Sequence, residues 1–321
     1  MSIIIPVFNG GNYLKGAINS ALEQDYKNIE VLVINDGSND SGETEAIAKG
    51  YGERVRYFYK PNGGVASALN HGLSHMEGEY FSWLSHDDLY FKNKISKQIA
   101  FIRSIRESDA IVFSGFDVID TKGRKLNTIV PLERHTKERL ETSLFALLYG
   151  MISGCSLLIH KSHFERVGLF REDLPTTQDF DLWFRMMRHC KCRVCPGVLH
   201  AVRVHGGQGS RILKAIHREE SDRLWIRIMN ELSTEEKILI NGSVEEFYKD
   251  IYRMLIKYTK NRKAILYAWH QALPHRNRAI SNAQIHIIYL MTIVVGFARF
   301  AKQFIFTRFQ REGIPNENCS R

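Results

Sequence analysis

Asp87 and Asp88 close the stretch Tyr80 to Leu89, which reads YFSWLSHDDL: an apolar run suited to a buried strand ends on two adjacent carboxylates. Burial of Tyr80, Phe81, Trp83 and Leu84 would hold such a strand in a sheet, which puts the acids at the rim of the core. In open α/β sheets ligands sit at that rim, outside the carboxyl ends of the strands. Hard oxygen ligands there suit Mg²⁺ or Mn²⁺ bridging a substrate diphosphate. The same pair also reads as a plain strand end, with Asp88 capping a helix that runs from Leu89 or Phe91 onward.

Three further segments carry residues able to meet a ligand. Asn35-Asp36-Gly37-Ser38 puts an acid at a strand end before a glycine that lets the chain turn close to a ligand. Asp36 there can accept a bond from a nucleotide base or ribose. Pro61-Asn62-Gly63-Gly64 leads into a helix carrying Ser67, Asn70 and His71, whose entrance offers backbone groups to a nucleotide, or is simply a glycine turn. Thr176 to Trp183, reading TTQDFDLW, sets Asp179 and Asp181 two apart at a helix start, where acids also favour the positive end of the helix. Cys190, Cys192 and Cys195, with His200 beyond, lack the second matching pair of a zinc site.

The elements that must position these residues alternate from the start, which predicts α/β layering around a mainly parallel sheet. Strands are expected over Ile3–Phe8, Ile29–Ile34, Val55–Tyr59, Tyr80–Leu84 and Ile111–Phe116. Between them fall helices from Tyr13 through Leu22, over Glu43–Lys49, Val65–Met76 and Lys92–Arg106. A hairpin around Lys122-Gly123-Arg124, a helix Lys137–Tyr149 and a strand Ser156–His160 follow. From Arg211 the pattern becomes helical without convincing strands. The expected organisation is therefore a catalytic domain over 1–210 and a helical, basic region over 211–321.

The 321 residues are 44% hydrophobic, as in an ordinary globular chain. A first strand at Ser2 or Ile3 leaves no room for a signal segment, and five cysteines suit a reducing cytoplasm, so export is not expected. The net charge of +9 is uneven: residues 251–321 hold 12 Lys and Arg against 2 Asp and Glu, whereas residues 1–210 hold 25 against 24. A near-neutral motif-bearing part and a basic tail laced with long apolar runs argue against nucleic-acid binding. The apolar run Ile287 to Ala298 gives roughly 18 Å of helix against the ~30 Å of a bilayer core. With Arg299, Lys302, Arg308 and Arg311 among Phe300, Phe304, Phe306 and Phe309, the 285–306 segment fits a helix lying on an anionic membrane surface. Packing within the appendage and a true membrane span are the other readings of that helix.

The order of segments resembles the family 2 inverting glycosyltransferases of the GT-A fold. The matching parts are SIIIPVFNGGNYL at 2–14, NDGSNDS at 35–41, NGGVASALNHGL at 62–73, WLSHDDLY at 83–90, TTQDFDLWFRM at 176–186 and RVHGGQGSR at 203–211. The resemblance implies a nucleotide-diphospho-sugar transferase fold and a sugar-nucleotide donor, a UDP-sugar first, near Pro6, Val7, Phe8, Asn9 and Asp36. Asn62, Ser67, Asn70, His86 and Arg211 are placed with the donor as well. The family's D-x-D metal motif falls on Ser85-His86-Asp87, which makes Asp87 the metal ligand for Mn²⁺ or Mg²⁺, with Asp88 auxiliary. Ser85 stands where the first acid of that motif belongs. The family's Glu-Asp pair aligns with Gln178-Asp179 and makes Asp179 the catalytic base. His205 matches the downstream histidine that reaches the metal or diphosphate, and Gln208, Ser210 and Arg211 lie on a glycine-rich loop that can close over the phosphates.

The implied reaction is attack of an acceptor hydroxyl on the anomeric carbon, Asp179 taking its proton while the metal neutralises the departing diphosphate. Attack opposite the leaving group inverts the configuration. The expected acceptor is a glycan or a lipid-linked glycan in cell-surface polysaccharide synthesis, with the enzyme on the cytoplasmic face of the plasma membrane. Two other readings stay open. One is a degenerate nucleotide-binding scaffold, motivated by Ser85 and Gln178; the other is a sugar-phosphate nucleotidyltransferase, although no triphosphate loop follows the first strand.

Overall fold

A computed structural model describes residues 1–273, which fall in two compact units, Met1–Ser243 and a second from Val244 onward. In the first, β1 (Ser2–Val7) is buried along its whole length, as its Ile3-Ile4-Ile5 run requires of a central parallel strand. The helix α1 (Leu14–Leu22) buries Leu14, Ala17, Ile18 and Ala21, one face at helical spacing. Then come β2 (Glu30–Asp36), α2 (Glu43–Lys49), β3 (Arg56–Lys60), α3 (Gly64–His75), β4 (Tyr80–Trp83), β5 (Leu89–Tyr90) and α4 (Lys94–Ile105). After β6 (Ile111–Ile119) and β7 (Lys125–Ile129) the chain makes the short helices α5 (Pro131–Arg134), α6 (Lys137–Leu140) and α7 (Phe145–Leu148). It continues through β8 (Ile159–His160), α8 (Ser162–Val167), α9 (Gln178–Met187) and β9 (Cys192–Arg203). Every described element beyond β9 is helical: α10 (Gly209–Ile212), α11 (Lys214–Glu231), α12 (Thr234–Asn241), α13 (Val244–Tyr258) and α14 (Arg262–Ala272).

Two sheets position the site. The first has the order β3-β2-β1-β4-β8, parallel except for β8 at the edge. Because the chain runs outward from β1 to β3 and then returns to lay β4 on the other side of β1, the topological switch lies between β1 and β4. Their carboxyl ends, Phe8-Asn9 and Ser85 to Asp88, emerge there side by side. The second sheet has the order β5-β9-β6-β7. Its antiparallel register sets Leu89 opposite Ala201 and Tyr90 opposite His200. Carried two residues further, that register brings the acid loop level with Arg203.

The sequence reading holds for the alternation and the mainly parallel sheet, and fails at three places. The expected helix 137–149 is broken between α6 and α7, where Ser143 has φ +33° and Glu141 turns its carboxyl to the Val194 N–H of β9. The expected strand 156–160 shrinks to β8, because Ser156 bonds back to the Ser153 carbonyl through both its N–H and its hydroxyl, closing a tight turn. No helix starts at Leu89 or Phe91. Leu89-Tyr90 is instead drawn into β5 by pairing with β9, so Asp88 caps nothing.

The change of texture near residue 210 falls between β9 and α11, while the compact units divide after Ser243. In the second unit α13 buries Phe247, Ile251 and Leu255, and Tyr252 packs its ring 5.0 Å from that of Trp269 on α14. Among the described residues no helix is long and apolar enough to cross a membrane. The 285–306 segment lies outside them.

Candidate active site

The acid loop between β4 and β5 separates its two aspartates. Asp87 Oδ2 lies 2.7 Å from His205 Nε2, and the Gly207 N–H donates to His205 Nδ1 at 3.2 Å. In the neutral ring the proton therefore sits on Nε2 and faces Asp87. Asp88 is spent elsewhere: Oδ1 accepts the Arg203 N–H at 2.8 Å and Oδ2 accepts the Cys155 thiol at 3.3 Å. Burial first, then the charge of Asp87, pushes the Asp88 carboxyl up to about 8. Ser85 faces the same cysteine, its N–H donating to Sγ at 3.4 Å.

Arg203 braces this loop. Its Nε donates to the Asp87 carbonyl and Nη1 to the Asp120 carbonyl, each at 2.9 Å, and the guanidinium lies 4.6 Å over the Tyr13 ring. Tyr13, just before α1, also packs 5.3 Å from the His205 ring. Gly10 must be glycine, since a Cβ there would stand 2.3 Å from Val7 and 3.4 Å from His86. The His86 imidazole is thereby held against the β1–α1 turn, and burial lowers its proton affinity.

At the carboxyl end of β1, Pro6 and Val7 are buried while Phe8 is 44% exposed. Asn9, at φ +52°, exchanges amide bonds with Asn39 and donates its N–H to Ser38 Oγ, tying the loop after β1 to the loop after β2. Asp36 is only 3% exposed; Oδ1 accepts from Lys60 Nζ at 2.6 Å and the Gly63 N–H at 3.0 Å, and Oδ2 from the Gly64 N–H at 2.7 Å. It thus caps the entrance of α3, and Asn62 donates to its carbonyl at 2.9 Å. Ser67 sits against Gly63 in the first turn of α3. Asn70 does not join this group: its amide donates to the Phe170 carbonyl and to Glu172 and accepts the Phe170 N–H, pinning α3 to the loop before α9. Arg211 is exposed on α10.

The start of α9 resolves its two acids into different roles. Asp181 is fully buried between Arg185 and Arg227, which neutralise it. Asp179 forms no such pair; Oδ1 accepts the Phe180 N–H at 2.7 Å, and burial raises its carboxyl above the usual range, the charge of His217 acting in the opposite sense. On either side of it along α9, Gln178 Oε1 and Trp183 Nε1 are buried without a partner. Orphaned polar atoms are rare in folded proteins, and both of these are closed off from solvent. Trp83 at the end of β4 and Trp183 on α9 both close on Gly154, next to Cys155, which brings α9 to the acid loop.

Three residues that matter here were not singled out from the sequence. Arg203 opens the RVHGGQGSR motif, so a reading centred on His205 passed over it. Cys155 and Glu220 lie in no motif; Glu220, from α11, accepts bonds from Thr176 and Thr177 just ahead of Asp179. Among the described residues no group of three or more His, Cys, Asp or Glu side chains is placed to hold a metal ion. The fit for Mn²⁺ or Mg²⁺ rests on Asp87 and His205: the carboxylate offers oxygen, and His205 Nε2 would ligate only on giving up the proton it turns to Asp87. Asp88, with both oxygens engaged, adds nothing to that pair.

Comparison with known proteins follows the same outline. Residues 2–168 match the family profile Glycosyl transferase family 2. An uncharacterized glycosyltransferase of Rickettsia typhi is 48% identical over 252 residues, covering 78% of each chain. One of Rickettsia conorii is also 48% identical, over 82% of this chain and 44% of its own length, so the chain spans under half of that relative. Among solved structures, Staphylococcus aureus TarS (residues 1–349) in complex with UDP-GlcNAc superposes with a TM-score of 0.55 at 16% identity, over 84% of this chain and 87% of that one. The mannosyltransferase PcManGT from Pyrobaculum calidifontis, in complex with GDP-Man and Mn²⁺, gives 0.58 at 14% identity, over 92% and 80%. At such identities the structures show a shared fold, the GT-A type. Together with the profile match across half the chain and the R. typhi relative, they establish that this chain belongs to glycosyl transferase family 2.

Proposed function

We propose that the chain is an inverting, metal-dependent glycosyltransferase that moves a sugar from a nucleoside-diphosphate donor to a hydroxyl of a glycan or lipid-linked acceptor in surface-polysaccharide synthesis. The observation that carries this reading is the contrast at the start of α9: Asp181 is neutralised by two arginines, while the Asp179 carboxyl, though it feels the charge of His217, forms no ion pair among the described residues. A carboxyl so placed can take the proton of an acceptor hydroxyl as the new bond forms. The nucleoside diphosphate leaves from the opposite face, and the anomeric configuration inverts.

The donor's base and ribose would lie along Phe8, Asn9 and the α3 entrance that Asp36 organises. A divalent cation held by Asp87 and His205 would supply the positive charge that a departing diphosphate needs. A UDP-sugar is the first donor to test, supported by the UDP-GlcNAc complex of TarS; the GDP-Man complex of PcManGT makes a GDP-sugar the second. Attachment to the inner face of an anionic membrane is proposed for the basic 285–306 segment.

The test is release of nucleoside diphosphate from UDP-, dTDP- and GDP-sugars by purified protein with Mn²⁺ and a membrane-lipid acceptor extract, with product configuration read by NMR. Release with one donor and an inverted product is expected. No release from any donor would instead favour a nucleotide-binding scaffold, the reading that Ser85 at the first acid position supports.

A further inference from the structure

The turn that leads Asp179 into α9 is held by α11. Glu220 is 3% exposed, and its Oε2 accepts three bonds: from the Thr176 N–H at 3.1 Å, the Thr176 hydroxyl at 2.8 Å and the Thr177 hydroxyl at 3.1 Å. His217, three residues earlier on α11, places Nδ1 3.1 Å from the same Thr176 hydroxyl. Since that hydroxyl's one proton goes to Glu220, His217 Nδ1 is the donor to its oxygen. Further along α11, Trp225 packs its ring 5.4 Å from Phe180, and Arg227 donates to Asp181. The helix therefore grips 176, 177, 180 and 181, both sides of Asp179, while leaving its carboxyl ungripped.

An apolar contact could pack α11 on α9 without desolvating a carboxyl. Burying one is unfavourable unless its bonds are made, and here they are made to two consecutive residues of one turn. Such an arrangement fixes position more tightly than packing does, because each bond specifies a direction as well as a distance.

We propose that Glu220 is the positioning residue of this site: through Thr176 and Thr177 it sets where the Asp179 carboxyl stands relative to an acceptor hydroxyl, with His217 as the second support. This rests on the reading of Asp179 as the base. Glu220 touches no substrate; its effect passes through the turn.

The experiment compares full-length Glu220→Met, which keeps the side-chain length and loses the acceptor, with Glu220→Gln, which keeps one acceptor oxygen. Thr176→Val and Thr176→Ser form a second pair, without and with the hydroxyl. Displacing a catalytic group by an ångström costs on the order of 100-fold in rate, so Glu220→Met and Thr176→Val are expected to lose about that factor in kcat. Donor affinity by calorimetry should stay parental, and Glu220→Gln and Thr176→Ser should retain most activity. Independently of activity, hydrogen exchange of the 176–181 amides should quicken in Glu220→Met while that of β1 to β4 does not change. Parent-like kcat in Glu220→Met, or exchange that quickens equally throughout the fold, overturns the proposal. Absence of turnover in the parent protein with every donor overturns the catalytic reading beneath it, and exchange at 176–181 still decides whether Glu220 holds the turn.

Discussion

His205 Nε2 and Asp87 Oδ2 stand 2.7 Å apart although 118 residues separate them in the chain. Two features bring them together. The β5–β9 register places the acid loop level with the end of β9, and Arg203 bonds the Asp87 carbonyl from that strand while its N–H fixes Asp88. The histidine is consequently delivered to one aspartate only, and the symmetry of the Asp-Asp pair is broken by backbone geometry.

This asymmetry predicts unequal mutants. Asp87→Asn and His205→Ala should each raise the Mn²⁺ concentration required for half-maximal activity by at least about tenfold. Asp88→Asn should not, because an amide can still accept the Arg203 N–H and meet Cys155. Chelation with EDTA should abolish transfer by the parent, and Mn²⁺ or Mg²⁺ should restore it. The measurement is transfer rate against free metal concentration. Equal metal requirements in Asp87→Asn and the parent would remove the cation from Asp87.

Much of the fold and part of the site were legible in the sequence, for identifiable reasons. Ile3-Ile4-Ile5 and Val31 to Ile34 are apolar runs that suit only buried strands, and Leu14, Ala17, Ile18 and Ala21 repeat at helical spacing. The acids sit at strand and helix ends, where local pattern suffices to find them. What escaped is set by distant contacts. Nothing near Glu141 announces that Val194 will draw its carboxyl and break the helix, and nothing near Asn70 announces the loop at Phe170. Glu220 lies on a helix otherwise rich in charge, so its burial cannot be told from the exposure of its neighbour Glu219 by type or spacing.

As the proposed base, Asp179 is expected to set the pH dependence. A base must be deprotonated to accept a proton, and burial raises this carboxyl above the usual range of about 3.9. The acid limb of kcat/KM should therefore fall at higher pH than for an exposed aspartate, activity being lost as pH drops through the raised value. Because the folded state disfavours the ionised form, the stability Asp179 contributes is greatest below its unfolded pKa and declines as pH rises through the folded one. Asp179→Asn should thus be at least as stable as the parent at pH 7, while kcat falls by about 10²–10⁴-fold with donor affinity unchanged. Thermal unfolding and turnover, measured on the same preparation, check both halves; a variant that keeps its activity would exclude Asp179 as the base.

Asn70 gives the opposite signature. Its amide makes three bonds to the Phe170–Glu172 segment, so Asn70→Ala should lower stability by about 1–3 kcal/mol. The donor-binding role read from the sequence predicts instead a loss of nucleotide affinity with little change in stability. Urea unfolding alongside calorimetric titration of UDP separates the two, and a weakened Kd without a shifted midpoint would return Asn70 to the donor site.

Asp181 is the sharpest control for Asp179, since the two differ by one turn position and share the helix start. Asp181 lies fully buried between Arg185 and Arg227, and Arg185 also donates to the Val167 and Leu169 carbonyls. Removing the carboxylate leaves two guanidinium groups without their shared anion, and breaking a buried pair in this way typically costs about 3–5 kcal/mol. Both arginines are partly exposed, so water recovers some of that loss and the lower part of the range is expected for Asp181→Ala. Any drop in activity should then track the unfolded fraction and be restored by cooling or by a stabilising osmolyte. Asp179→Asn should show no such recovery, because what it lacks is a proton acceptor in a fully folded protein.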